Sequence, residues 1–412
     1  MLKMSGSLEN SATAVQAQNI DSLPEAQIVG IALDSDGTSE VSNFQPLYRL
    51  PSYKQQTEFT EYQIKELNDR GFSNGLIKSL SSTKVEFPLR IWIVDNSGSM
   101  MKGDGSRLIE DPWNGNIKVE RSTRWVEIQD CINYHTEFAS LIQAPSTFCL
   151  LNTPGPEVGN ENQRFGIAVS TNEKKQLDDD VTNAQDIMEN GRCWGKTPLT
   201  IRILGIQASI SRFAPQLNGR RVAIIIATDG LPTESGDYDQ KVACNNFVRS
   251  LKLLEGYPVW VVIRLCTDNL DVVNFYQGLD DQLELPIDLL DDFISEGKEV
   301  YKKNNWLNYT LPLHRCRELG LRHRIFDLID ETPLTKDQLR ELCAFLFGVS
   351  KREIPDPQVD WSVFTEELGR LLEKEKGHWN PVTKKVTPWI DMQKLEKTYG
   401  TDAGAGCQCN IL

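Results

Sequence analysis

Five short apolar runs, at residues 89–95, 147–151, 164–170, 221–229 and 259–266, alternate with amphipathic stretches of helical length at 123–142, 174–189, 198–213, 238–254 and 272–278. A strand that is apolar on both faces must be covered on both sides, and strands separated by helices of this length build a parallel sheet wrapped by them. The expected class is therefore α/β, a doubly wound, mostly parallel sheet with helices on both faces. Sheets of this kind place their ligands at the carboxyl ends of the strands.

The flanks read differently. Residues 1–42 are rich in Ser, Asn, Gln, Ala and Asp and poor in aromatics, the composition of a disordered tail. Residues 43–85 carry Phe59, Tyr62, Ile64, Leu67, Leu76, Ile77 and Leu80 at mostly helical spacing, broken at Gly71, which predicts a helical hairpin that braces the α/β domain. That domain is expected over 86–280. After about residue 282 the β signal disappears, and 281–400 reads as a helical C-terminal region with patterns at 289–303, 335–347 and 364–376. Thr335 and Gln338 have capping-box form. The aromatic-rich stretch 378–399 is expected to be irregular and packed back on the body, and 401–412 to be a flexible tail.

Charge and cysteine usage narrow the function classes. Forty-four Lys and Arg stand against 58 Asp and Glu, a net charge of −14, so clustered basic contacts to nucleic acid or bare anionic lipid are not expected. Partners should be proteins, metal ions or small molecules. No apolar run approaches the ~20 residues needed to cross a bilayer, and the opening Met1-Leu2-Lys3-Met4-Ser5-Gly6 has no apolar signal core, which gives a cytoplasmic expectation. Seven of the nine cysteines are far apart with no C-x-x-C among them, so they read as core thiols rather than a zinc module. P-loop and His-Glu-x-x-His patterns are absent from the sequence, and the four histidines are scattered.

Chemistry concentrates at three strand or loop ends. Asp95-Asn96-Ser97-Gly98-Ser99 leaves the first strand with three oxygen-bearing side chains at i, i+2 and i+4, able to converge on one hard cation. Gly195-Lys196-Thr197-Pro198 puts a hydroxyl just before a helix with Pro at its first position. Thr228-Asp229-Gly230 ends a buried strand in a carboxylate and a turn glycine. On a βαβ chain all three converge on one sheet edge.

With these motifs, residues 86–280 resemble the von Willebrand factor type A family with a metal-ion-dependent adhesion site. The motifs are Asp95-x-Ser97-x-Ser99, Thr197 in a Gly-x-Thr-Pro context, and Thr228-Asp229-Gly230. The resemblance implies that Ser97 and Ser99 bind a divalent cation directly, that Asp95 and Asp229 act directly or through water, and that Thr197 joins when the site closes on a ligand. Few direct carboxylates suit Mg²⁺, with Mn²⁺ substituting. The implied ligand is an Asp or Glu of a partner protein. Two departures stand out: the long polar stretch 102–122, holding Arg107 and Trp113, and Lys196 where a second glycine is common.

The last four residues, Cys409-Asn410-Ile411-Leu412, resemble a C-a-a-X box whose final Leu favours geranylgeranyl. One lipid chain anchors weakly, so a second signal is expected, and Cys407 is the candidate for palmitoylation. The sequence thus predicts a non-enzymatic, metal-dependent protein-binding module tethered to the cytosolic face of a membrane. The alternative is a metal-assisted hydrolase or ubiquitin-pathway factor using the same site.

Overall fold

The computed structural model of the chain describes residues 47–53, 55–110, 117–234 and 239–400. The expected tails at 1–42 and 401–412, with Cys407 and Cys409, lie outside the described residues, as does Trp113.

The first helices are α1 (Glu61–Asp69) and α2 (Asn74–Glu86). Thr60 and Gln63 close a capping box on α1, and Ser73 caps α2. Gly71 turns the chain between them at a φ of +86°, its Cα so close to the His378 ring that a Cβ would lie 2.5 Å from it. Next come β1 (Leu89–Val94), β2 (Gly105–Glu110), β3 (Ile117–Ser122), α3 (Arg124–Ile142), β4 (Ser146–Leu150) and β5 (Arg164–Ile167). They are followed by α4 (Lys174–Asn190), α5 (Leu199–Phe213), β6 (Val222–Thr228), α6 (Gln240–Lys252), β7 (Val259–Leu265), α7 (Leu270–Gln277) and β8 (Ile287–Leu290).

The central sheet has the order β5-β4-β1-β6-β7-β8, parallel throughout except where β5 runs antiparallel to β4. Counting only these six strands along the chain, the order is that of a doubly wound nucleotide-binding sheet, reversing between β1 and β6. Every residue of β1, β6 and β7 is buried. Alternation divides them between two cores. Trp92, Val94, Ile225, Ala227 and Val262 face one side, while Ile91, Ile93, Ile224, Ile226 and Ile263 face the other with α5 and α6.

Three local expectations are corrected. Within the long polar stretch 102–122, Gly105–Glu110 and Ile117–Ser122 pair as antiparallel strands β2 and β3, which the sequence did not predict. The sheet continues past residue 280, because Ile287–Leu290 pairs with β7, and residues 289 and 290 are strand rather than helix. Four residues interrupted by Asp288 are too few and too polar to display a strand period. Stretch 378–399 is more regular than expected, with His378–Trp379 and Val386–Thr387 pairing as antiparallel strands ahead of a helix at Met392–Tyr399.

That C-terminal portion holds α8 (Phe293–Lys303), α9 (Leu311–Glu318), α10 (Ile325–Ile329), α11 (Lys336–Phe347), α12 (Trp361–Leu372), β9 (His378–Trp379), β10 (Val386–Thr387) and α13 (Met392–Tyr399). Its apolar residues, among them Leu313, Cys316, Leu319 and Ile325, share one core with Trp92, Phe138 and Phe148. None of the described helices is long and apolar enough to cross a membrane.

Glu318 joins these layers. Its fully buried carboxylate meets His135 Nε2 at 2.8 Å and Arg315 Nη1 at 2.7 Å through Oε2. Through Oε1 it meets His314 Nε2 at 3.3 Å and the Cys131 thiol at 3.4 Å, with Arg264 Nε at 3.7 Å. Burial alone would raise the Glu318 carboxyl, but Arg315, His314 and the hydrogen bond from His135 outweigh it and hold it well below its ordinary 4.5. Burial pushes His135 the other way, down to about 4, so a neutral imidazole donates from Nε2.

Glu318→Gln is expected to cost about 3–5 kcal/mol in urea unfolding at pH 7, because Arg315 stays buried without its counter-charge, whereas Arg264 keeps Glu127. A depressed carboxyl stabilises above its unfolded pKa and loses that contribution as pH falls. The deficit should therefore be full at neutral pH and shrink below about pH 4.5. A deficit under 1 kcal/mol, or one that grows in acid, would refute the hub.

Candidate metal centre

The reversal between β1 and β6 opens a crevice at the carboxyl edge of the sheet, and both strands end there in carboxylates. Asp95 follows β1, its N–H donating to Ala227 O at 2.9 Å so that the parallel ladder runs one residue beyond the strand. Its side chain is completely buried. Oδ1 accepts the Ser97 N–H at 2.8 Å, an Asx turn, and Oδ2 accepts the Thr228 hydroxyl at 2.7 Å. Burial first, then the charge of Asp229, pushes Asp95 up to about 6, against the hydrogen bonds from Thr228 and Ser97.

Ser97 stands ahead of a short 3₁₀ turn, Gly98–Met101, which brings Ser99 back alongside it. Their Oγ atoms are 2.9 Å apart, and Ser99 Oγ donates to Asp229 Oδ1 at 2.7 Å. The Gly98 N–H reaches Gly195 O at 3.3 Å and ties this loop to the one bearing Thr197. Thr197 is fixed through its backbone, its N–H donating to Thr233 Oγ1 at 2.8 Å and its carbonyl accepting the Thr233 N–H at 3.0 Å. Its hydroxyl sits 3.7 Å from where a Cβ on Gly230 would be. Helix α5 starts at Leu199 with Pro198 at the N-cap, one residue later than the sequence suggests.

Ser97, Ser99, Thr197 and Asp229 line one open cleft of about 430 Å³, and Asp95, which is not among the lining residues, adjoins it through the Ser97 N–H. All five sequence-derived positions are thus brought together. Lys196 also lines the cleft, but its ammonium is turned to Glu234 O at 2.9 Å.

Two participants were missed. Arg124 Nη1 contacts Asp229 Oδ2 at 2.7 Å, and the same guanidinium binds Asp104 on the β2 side at 2.6 Å through each of two nitrogens. Burial alone would lower Arg124; hydrogen bonds to Asp104 and Asp229 outweigh it and raise it further. The hydrogen bond from Arg124 holds Asp104 below the usual carboxylate range. The available signal was position: Arg124 is the first residue of α3, just after the N-cap Thr123, where a cation opposes the helix dipole and needs a local reason.

The donors suit a small hard cation. They are all oxygen, and the 2.9 Å and 2.7 Å separations approach the edge of an octahedron with 2.0–2.1 Å bonds, about 2.9 Å. Arg124 leaves Asp229 Oδ1 facing the serines and cancels one of the two buried negative charges. A second cluster, Cys131, His135 and Glu318, places ligand atoms within 4.8 Å of one another. There Arg315 and Arg264 already point at the same carboxylate, so an added divalent ion would meet two fixed positive charges.

No protein-family model matches the chain, and no curated protein matches it. Among solved structures it is similar to the PilB minor pilin from Streptococcus sanguinis and to a point mutant of that protein. Identities are 10% and 12% and TM-scores 0.31 and 0.32, with 50% of this chain and 57% of the pilin chain covered. The chain thus spans little over half the pilin's length, and a likeness this distant carries no argument.

Thr228→Val keeps the shape of the β6 end but removes the hydroxyl that binds Asp95. It is expected to lower stability by about 1.5–3 kcal/mol, the worth of a hydrogen bond to a charged group, read as a lower urea midpoint at unchanged slope. An unchanged midpoint would mean that Asp95 is held without Thr228.

Proposed function

We propose that residues 86–280, together with the sheet strand Ile287–Leu290, form a von Willebrand factor type A-like domain, and that Asp95, Ser97, Ser99, Thr197 and Asp229 hold Mg²⁺, with Mn²⁺ able to substitute. The domain then works as a metal-dependent protein-binding module that captures an Asp or Glu side chain of a partner. The observation that carries this reading is the contact chain Ser97 Oγ, Ser99 Oγ, Asp229 Oδ1 at the point where the strand order reverses.

A bound divalent ion supplies an open coordination position and positive charge to a carboxylate. The residues of this chain do the rest. Ser97 and Ser99 present neutral oxygens, so binding does not exhaust the ion's charge. Thr228 and the Ser97 amide orient Asp95. Arg124 is shared between Asp229 and Asp104, so Asp95, Asp229, Asp104 and Arg124 sum to −2 before loading and to zero after it, and a divalent ion removes the negative charge that would repel an acidic partner group. Asp104 steadies Arg124 from the hairpin, which flanks the same crevice.

The module is further proposed to be cytoplasmic and anchored to the cytosolic face of a membrane by prenylation at Cys409, with palmitoylation at Cys407. The basis is the sequence motif alone. Cys409→Ser is expected to abolish isoprenoid incorporation and move the protein out of the membrane fraction. Full membrane retention without label would remove the anchor from the proposal.

Affinity purification of the full chain in Mg²⁺ and in EDTA, with Asp95→Ala as parallel bait, tests the recognition surface. One set of proteins should be lost in both EDTA and the variant. In purified protein, Mg²⁺ at a hundred times its Kd should stabilise the wild type by about 2.7 kcal/mol and leave Ser97→Ala/Ser99→Ala unaffected. Partners that survive both treatments, or equal Mg²⁺ responses in the two proteins, would sink the reading.

A further inference from the structure

At the opposite, amino-terminal edge of the sheet lies a second cavity of about 370 Å³, walled by Leu50, Tyr53, Gln55, Lys84, Pro88 and Arg220 among others. Lys84 is 1% exposed, and its ammonium is buried with no hydrogen-bond partner. Its Nζ lies over the Phe59 ring, 5.6 Å from the centroid. Arg220 uses its Nε on Leu217 O at 3.0 Å. None of the described lining residues is Asp or Glu, although the chain carries a net charge of −14.

A third cation lies behind this wall. Arg90, on β1, is fully buried; among the described residues its guanidinium donates to the neutral carbonyls of Leu319, Phe87 and Thr83 at 3.2–3.3 Å, with Glu86 as a more distant negative charge. Burial, and then the charge of Arg90, lower Lys84 to about 8. Lys84 falls in the last turn of α2, where helix carbonyls favour a cation by about 0.3–1 kcal/mol. Burying an unpaired ammonium costs several times that, and buried charges in folded proteins are ordinarily paired.

We propose that this cavity is a binding site for a small organic oxyanion, a phosphate- or carboxylate-bearing molecule anchored by Lys84 and Arg220. The apolar wall of Leu50, Pro51, Val85 and Pro88 receives the body of such a molecule. The cavity volume stands at the lower end of the range for small-molecule sites, about 300–1,000 Å³, which fits a compact metabolite. Gln55 donates its amide to Pro88 O at 3.2 Å, and Tyr53 donates its hydroxyl to Ala168 O. Both are therefore held as part of the wall. This site uses none of the residues of the carboxyl-edge crevice, so it stands or falls separately from the metal reading.

The test is calorimetric titration and thermal melting of the full chain with inorganic phosphate and with acetate, each against chloride at matched ionic strength. Wild type, Lys84→Met and Arg220→Gln are compared. The wild type should bind at least one of the two anions, which one naming the ligand class, and melt higher in its presence. Lys84→Met should melt no lower than wild type in chloride, since it removes an unpaired buried charge. It should bind the anion about tenfold or more weakly, a loss of about 1.4 kcal/mol, and Arg220→Gln should also bind more weakly. General salting effects act on all three proteins alike. Equal anion responses in the three proteins, or no binding of either anion by the wild type, would overturn the proposal, as would a melting point for Lys84→Met well below wild type in chloride.

Discussion

One carboxylate, that of Glu318, sits where the sheet, its covering helix α3 and the C-terminal helices meet, and water is excluded there. Five side chains surround it: Cys131 and His135 from α3, Arg264 from β7, and His314 and Arg315 from α9. Each is useful to the carboxylate only if its own element is in place. The arrangement therefore ties the position of α9 to the sheet with a directional interaction, while the surrounding Leu313, Leu319 and Phe138 supply non-directional burial. Removing any one layer would leave buried charge behind, which is why the C-terminal helices share a core with the sheet.

The hub is connected to the crevice at the carboxyl edge. Arg264 also pairs with Glu127 of α3, and Glu127 Oε2 accepts the Ser106 N–H of the hairpin at 2.9 Å. Arg107 of the same hairpin forms two hydrogen bonds with Asp130, and Asp104 holds Arg124 against Asp229. One face of α3 thus carries charges that address the hub, the hairpin and the Asp229 carboxylate of the crevice in succession. The residues around Asp229 are placed by a polar network rather than by the loop alone.

The two edges of the sheet have opposite electrostatic character. At the carboxyl edge burial and the charge of Asp229 raise the Asp95 carboxyl, and Arg124 is paired to Asp229. At the amino edge Lys84, Arg90 and Arg220 gather without a carboxylate in the cavity wall. Full side-chain charges outweigh the small dipole of a strand, so the polarity comes mainly from side chains. Each edge holds charge that an oppositely charged ligand would relieve.

The sequence by itself determined the layers and the placing of five oxygen-bearing side chains at one sheet edge. Runs such as Ala223-Ile224-Ile225-Ile226-Ala227 admit only a strand covered on both faces, and a carboxylate at the end of such a strand has nowhere to go but the sheet edge. Asp95, Ser97, Ser99, Thr197 and Asp229 were legible because each stands at a local transition that short-range rules govern. Only the tertiary structure decided the antiparallel run of β5, the admission of Ile287–Leu290 to the sheet, and the roles of Arg124, Asp104, Glu318 and Lys84. Strand direction leaves no mark on hydrophobic period, and a four-residue edge strand is too short to show one. A charged residue looks the same in sequence whether it faces water or a partner more than a hundred positions away, as Arg124 and Asp229 do. Which charges are buried together is set by long-range packing, and that is where the hub, the built-in counter-ion and the amino-edge cavity arise.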